Sequence, residues 1–265
     1  MLHIVIPMAG HGSRFQKAGY RDPKPLIPVH GIPMIRTVID NLRPSCEHRF
    51  HFLCQQSHIE DYPLASLLKD AAPGCEIRTL ANVTAGAACT VLLASDWIDN
   101  ETPLMIANCD QWIDFSIDEY LQAGMKDGTD AFLMTMRDDS PKWSYVQRND
   151  EGQIQGVIEK VVVSDEATVG IYNFARGCDF VNAAKQMIRD NDRSKNEFYV
   201  APVYSRLIRD GQKMDTVSIG DAGDVMHGLG TPEDLDAFLE RGFRDRIVAA
   251  ADGLPEHAVA ERAAA

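Results

Sequence analysis

The stretch that most constrains the fold is residues 4 to 36. An apolar run from Leu2 to Pro7 breaks into Gly10 and Gly12. Such a run reads as a buried strand ending in a tight turn, where bare backbone amides can approach an anion. His11, Arg14, Lys17, Arg21 and Lys24 follow against a single acid, Asp22, in a chain whose formal net charge is -13. That local reversal of sign calls for an anionic partner. The turn lacks the third glycine of the dinucleotide fingerprint, because Phe15 stands there, and it lacks the Gly-Lys-Ser/Thr ending of a Walker loop. Both of those nucleotide-binding readings drop out. What remains is a glycine turn with Arg14, then Pro23-Lys24-Pro25, in which flanking prolines stiffen the backbone that carries one lysine.

Composition narrows the class. The 265 residues suffice for one large domain or two small ones, and for burial of roughly three quarters of the unfolded surface. Charged residues at 25% and hydrophobic ones at 45% are ordinary for a globular chain. The acidity argues against a non-specific nucleic-acid binder, whose footprint is basic. No apolar run is long enough to span a bilayer and no secretory pattern opens the chain, so neither nucleic acid nor membrane is expected and the expected location is cytoplasmic. Six scattered cysteines without Cys-x-x-Cys spacing read as buried thiols in a reducing compartment.

The order of elements follows from periodicity. Pro33 opens a helix carrying Met34, Ile35, Val38, Ile39 and Leu42, and Pro44 ends it. Arg49 to Cys54 is a second strand, Ser57 caps a helix towards Asp70, and Cys75 to Leu80 is a third strand. This β-α-β-α-β order predicts an α/β fold with a doubly wound, mostly parallel sheet. Residues 82 to 94 pair a small-residue turn with an amphipathic helix. Pro103 to Ala107 is a buried strand with Asn108-Cys109-Asp110 at its carboxyl end, where ligands gather in open α/β sheets. Ser116 opens a helix to about Ala123, and Asp130 to Met136 resumes the sheet. Trp143 to Gln147, Gln153 to Lys160 and Thr168 to Phe174 are extended segments separated by turns, so an antiparallel extension is expected in the second half. A helix follows from Val200 to Ile208, and Thr231-Pro232 caps another. From Arg241 the chain reads as a surface helix with a frayed tail.

At Met8 to Met34 the chain resembles the sugar-phosphate nucleotidyltransferases, whose opening signature is a strand, a Gly-x-Gly-x-Arg turn, Pro-Lys-Pro-Leu-x-Pro-Val and Gly-x-Pro-Met. The resemblance covers roughly residues 2 to 240. It implies a Rossmann-like, GT-A-like fold, with one nucleotidyltransferase domain over 1–240 (a nucleotide-binding half to about 140, an acceptor-binding half from about 141) and a tail over 241–265. It implies that Met8, Ala9, Gly10, Gly12, Ser13 and Arg14 wrap the triphosphate of an NTP while Lys24 neutralises its phosphates. Thr84, Gly86 and Ala87 would lie under the nucleobase, with Gln55 also in reach and Asn108 in place of the family's more usual glycine. Asp110 would be a Mg²⁺ ligand. Many members have a second aspartate two positions before the glycine of Gly-Thr-Pro; Gly228 stands there, and Asp221, Asp224 or water could serve instead. In the second half Lys160 would grip the acceptor phosphate and Glu159 a sugar hydroxyl, with Gly170 letting the ring come close and Asn196, Glu197 and Tyr199 adding contacts.

The chemistry so implied is in-line attack of a phosphate oxygen of a sugar 1-phosphate on the α-phosphorus of an NTP, releasing pyrophosphate. A phosphate monoester is largely ionised at neutral pH, its second pKa being about 6, so no protein base is required. Alternatives of other classes remain: nucleotidyl transfer to phosphocholine or another phosphate or phosphonate, a glycosyltransferase using a nucleotide sugar, or a nucleotide-sugar-binding regulatory module. Base, acceptor and oligomeric state are left open.

Overall fold

A computed structural model describes residues 1–253. Nine strands form the central sheet: β1 (Leu2–Met8), β2 (His48–Gln55), β3 (Glu76–Leu80), β4 (Leu104–Ala107), β5 (Ala131–Arg137), β6 (Ser144–Arg148), β7 (Ile154–Glu159), β8 (Glu166–Phe174) and β9 (Met214–Asp221). β3, β2, β1 and β4 lie side by side and parallel. β8 then runs antiparallel between β4 and β5, and β9 lies parallel to β5. The hairpin β6–β7 joins the first half of β8 through Ala167 and Tyr145. The doubly wound parallel sheet and the antiparallel extension are therefore both present.

Strand periodicity sorts the core into two layers. Leu2, Ile4, Ile6 and Met8 of β1 point to one face, under the helices Met34–Leu42, Leu64–Ala71 and Ile117–Gly124. Val5 and Ala9 point to the other, under Ala87–Leu92, Gly177–Arg189 and Val203–Arg209. β1 is thus covered on both sides, as its unbroken apolar run requires.

A third, smaller core sets the position of the opening loop. Phe15, Ile27, Val29 and Met34 pack with Trp112, Leu229, Leu235, Phe238 and Ile247. Two short ribbons frame it: Pro28–Val29 with Ile32–Pro33, and Gln111–Ile113 with Met226–Gly228. Residues distant in sequence are brought to one corner in this way.

Several local expectations shift. The helix expected from Ser57 towards Asp70 is two, Gln56–Asp61 and Leu64–Ala71, because Pro63 cannot donate in a helix interior and caps the second instead. The helix expected from Val200 begins at Val203, with Pro202 at its N-cap. Only Cys54 is a fully buried thiol; Cys46 is exposed and the other four are partly covered. The C-terminal helix is Arg244–Ala251, and it is anchored through Ile247 and Ala249. The tail expected beyond it lies outside the described residues.

Candidate active site

Lys24 and Asp110 meet. Asp110 follows the carboxyl end of β4, and Lys24 sits in a short 3-10 turn that begins after Pro23. The Lys24 ammonium donates to Asp110 Oδ2 in an ion pair, with the two side chains 17% and 27% exposed. Burial disfavours the ammonium, but the charge and hydrogen bond of Asp110, helped by Cys109, outweigh it and raise the Lys24 pKa. Lys24 therefore stays a cation throughout the neutral range.

A pocket of about 210 Å³ opens at this pair, lined by Met8, Gly10, Gly12, Lys24, Cys109 and Asp110 among others. Gly12 lies against the Lys24 stem. Leu229 N donates to Asp110 O at 2.8 Å. A Cβ on Gly230 would sit 2.7 Å from Asp110 Oδ2, so a larger residue there would push the carboxylate out of its present place as the Gly-Thr-Pro turn closes over it. Arg14 is exposed on the short helix Ser13–Lys17 and does not line the pocket, but its charge acts on the Lys24 ammonium. Ser13 is exposed beside it; Met8 and Ala9 are buried at the end of β1. A larger groove of about 470 Å³, beside the C-terminal helix, contains none of the candidate binding or catalytic residues named from sequence. Chemistry rather than size marks the site.

The small-residue turn is locked from within. Thr84 Oγ1 donates to Gly86 O at 2.8 Å and meets Thr90 Oγ1 at 2.7 Å. Phe198 N donates to Ala85 O at 2.9 Å, and Ala88 N donates to Phe198 O at 3.0 Å. Gly86, at φ 134°, lies so close that a Cβ would be 2.5 Å from Phe198 N and O. The turn of Thr84, Gly86 and Ala87 is thus stitched to the segment of Asn196, Glu197 and Tyr199. Gln55, 8% exposed, holds the exposed His11 ring, Nε2 to Nδ1, at 2.8 Å.

The second cluster forms at the end of β7. Lys160, at φ 55°, donates to Tyr199 Oη at 2.7 Å, lies over the Tyr199 ring at 4.3 Å, and pairs with Glu159 at 3.5 Å. Burial works against its charge, while Tyr199 and Glu159 outweigh it and raise its pKa. Glu159 Oε2 accepts from Ser144 Oγ. Gly170 lies against the amides of Asn108 and Gln111, and its carbonyl accepts from Asn108 N at 3.2 Å. Asn196 and Glu197 are exposed; Asn196 O accepts from Arg193.

The aspartates named for the second metal position do not line the Lys24–Asp110 pocket. Asp221 is ion-paired with Arg137 at 2.7 Å, and Asp224 is exposed in the turn that follows. Gly228 pairs with Gln111, and its missing side chain would point towards Asp234, with Oδ2 3.5 Å from a Cβ. Among the described residues no three His, Cys, Asp or Glu side chains gather in a metal-binding group. Asp110 alone still suits a hard cation that keeps water and substrate phosphate as its other ligands.

Sequence reasoning counted His11 only among the basic residues of the loop, and it missed Gly230 and Phe198 as parts of this assembly. The Gly-Leu-Gly-Thr-Pro run signals a turn, but its closure on Asp110 is a tertiary fact.

These features, a glycine turn and a lysine–aspartate pair at the carboxyl ends of β1 and β4, belong to a nucleotide-handling α/β protein. The chain belongs to the nucleotidyl transferase family, whose model matches residues 4–225. It is 28% identical to the bifunctional protein GlmU of Xanthomonas campestris pv. campestris strain B100, over 94% of this chain and 53% of that protein. It thus spans about half the length of the curated relatives it matches. In structure it is similar to a nucleoside-diphosphate-sugar pyrophosphorylase from Vibrio cholerae RC9, at TM-score 0.74 and 25% identity, over 90% of this chain and all (100%) of that one. The inositol-1-phosphate CTP transferase of T. maritima shares the fold, at TM-score 0.68 and 14% identity, over 96% of this chain and 97% of that one. Among the described residues no helix is long and apolar enough to cross a membrane.

Proposed function

We propose that this nucleotidyltransferase joins an NTP to a sugar 1-phosphate, giving a nucleotide sugar and pyrophosphate. The observation that carries the reading is the Lys24–Asp110 pair in a pocket floored by Gly10 and Gly12. Similarity to the sugar pyrophosphorylase supports the choice of acceptor.

The roles follow from position. Backbone amides of Gly10 to Arg14 cradle the triphosphate, and Arg14 reaches it from the rim. Lys24, held protonated by Asp110, stabilises charge that develops on the α-phosphate. Asp110 is the residue to hold a divalent cation, Mg²⁺ in our reading, which supplies further charge neutralisation on the phosphates. Thr84, Gly86, Ala87 and Asn108 border the nucleoside. Lys160 holds the acceptor phosphate with its oxygen facing the α-phosphorus, and Glu159, Gly170 and Tyr199 border the acceptor's sugar. The acceptor oxygen is already an anion, so alignment replaces base catalysis. Residues to about 140 thus serve the nucleotide and residues from about 141 the acceptor, within one domain that works in the cytoplasm.

Pyrophosphate release tests this, with four NTPs and dNTPs against a panel of sugar 1-phosphates, phosphocholine and phosphonates. Release with one NTP and one sugar phosphate is expected. Tight nucleotide binding without release from any pair would overturn the reading in favour of a binding module.

A further inference from the structure

We propose that the groove between the helix Pro232–Leu239 and the loop that follows β5 is a second binding site, for a sugar or polyol carrying one phosphate. It is separate from the Lys24–Asp110 pair and from Lys160, and it does not depend on the nucleotide reading.

The groove has a volume of about 300 Å³ and shares no lining residue with the Lys24–Asp110 pocket. Met226 and Phe238, both buried, give it an apolar floor, and Trp143 gives it an aromatic wall. That wall is fixed in place. Trp143 Nε1 donates to Asp138 Oδ2 at 2.8 Å, and Asp138 Oδ1 accepts from Ser140 N at 2.6 Å. Both oxygens of Asp138 are engaged in this way, so its part is to brace the loop.

The two cations of the lining are not so engaged. Lys142 lies over the Trp143 ring at 4.6 Å, and Arg241 stands just past the end of the helix. Among the described residues neither is ion-paired. In a chain of net charge -13, where acids outnumber lysine and arginine 39 to 26, two such cations on one groove point to an anion. A guanidinium fork and an ammonium together suit the oxygens of a phosphate.

The remaining polar groups point to hydroxyls. His227 is 6% exposed, and its Nε2 is buried without a hydrogen-bond partner. Burial first, then the charge of Arg241, lowers its pKa against the opposing effects of Asp114 and Asp224, so the ring is neutral. A buried polar atom left unpaired is costly, and a hydroxyl in the adjoining groove would relieve it. Asp234 lines the same groove beside the space that Gly228 leaves open, with Oδ2 3.5 Å from where a Cβ would stand. Asp234 and Arg241 are seven residues apart along the helix and its end, roughly 10 Å, so the groove is acidic at one end and basic at the other. The Asp234 carboxylate accepts from hydroxyls, the cations hold the phosphate, and the apolar face of the ring lies against Trp143.

Calorimetric titration of the intact chain with glucose 6-phosphate, glucose and inorganic phosphate tests the proposal. Glucose 6-phosphate is expected to bind more tightly than either fragment, and to keep its site in Lys160→Ala. Arg241→Ala and Lys142→Ala should each weaken it by about tenfold, the loss of one charged hydrogen bond. Asp234→Asn should weaken glucose 6-phosphate but not inorganic phosphate. Melting temperatures confirm that these variants, all changed outside the buried core, stay folded. No saturable binding of glucose 6-phosphate, unchanged affinity in both Arg241→Ala and Lys142→Ala, or binding abolished by Lys160→Ala would each overturn the proposal. Absence of pyrophosphate release would leave it standing and remove only the proposed reaction.

Discussion

Two lysines, each beside a carboxylate, define two corners built by different means. Lys24 is enclosed: its partner Asp110 is fixed by a strand end, by Leu229 N and by the Gly230 backbone, and a small apolar core lies behind it. Lys160 stands at the end of an antiparallel extension, in a left-handed conformation that costs a non-glycine residue roughly 1 kcal/mol or more. It is held by side chains, Tyr199 and Glu159. A reaction centre that must stabilise the same triphosphate for every acceptor profits from the first construction. A subsite that varies with the acceptor can use the second, because changing one side chain there leaves the sheet untouched.

The comparison breaks most decisively at Lys24. Lys24→Ala is expected to lower turnover by about a thousandfold, the range for loss of a preorganised charge in a reaction centre. Pyrophosphate release measures it, and wild-type rates would end the contrast between the corners. Gly86→Ala comes next. A methyl group there meets the Phe198 backbone at 2.5 Å, at a φ of 134° that L-residues rarely adopt. A stability loss of about 3 kcal/mol is expected, together with weaker binding of both substrates, because the stitch between Ala85 and Phe198 joins the two sides. Thermal unfolding with and without nucleotide checks this; an unchanged melting temperature would separate the corners entirely.

What was legible in sequence follows the same division. The first corner is a contiguous motif: Gly10, Gly12, Arg14 and Lys24 lie within one loop, and only Asp110 has to be brought from another strand. Of the parallel strands, β1, β2 and β4 were legible from apolar runs bounded by turn residues, and β3, in which only Leu80 is buried, from its place in the β-α-β-α-β order. The strand β9 was not, since only Val217 and Ile219 of it are buried at the edge of the sheet. The helix Gly177–Arg189 also went unassigned, although its buried positions Phe180, Val181, Ala184 and Met187 carry helical spacing. Near the site, Thr84 and Gly86 could be picked out by composition, but their tie to Phe198 could not. A backbone hydrogen bond between segments more than a hundred residues apart leaves no mark on either side chain.

The second corner is sharpened by Lys160→Ala. Removing one charged donor of an acceptor phosphate should raise the acceptor KM by about 30-fold, near 2 kcal/mol, with the nucleotide KM almost unchanged. Lys160→Arg should recover part of it. Initial-rate measurements with each substrate varied in turn give the split. A fall in turnover at unchanged acceptor KM would instead place Lys160 with Lys24 in the reaction centre.

Acid should act on neither corner first. His51, 1% exposed, bonds His3 at 2.8 Å and stacks on Trp97. Burial, with the charges of His3 and Arg49, pushes its pKa down to about 3, while unfolded histidine titrates near 6.5. The folded pKa is depressed, so the unfolded chain binds the proton first. The stabilisation is complete above about pH 6.5 and is lost as pH falls from there towards 3, by about 1.4 kcal/mol for each unit. His3, also lowered by burial first and by Arg49, adds in the same direction. Denaturant unfolding at about pH 6.5 and 5.5 should show that loss, and His51→Phe should show less of it. Equal acid sensitivity in wild type and His51→Phe would move the cause away from the buried His3–His51 pair.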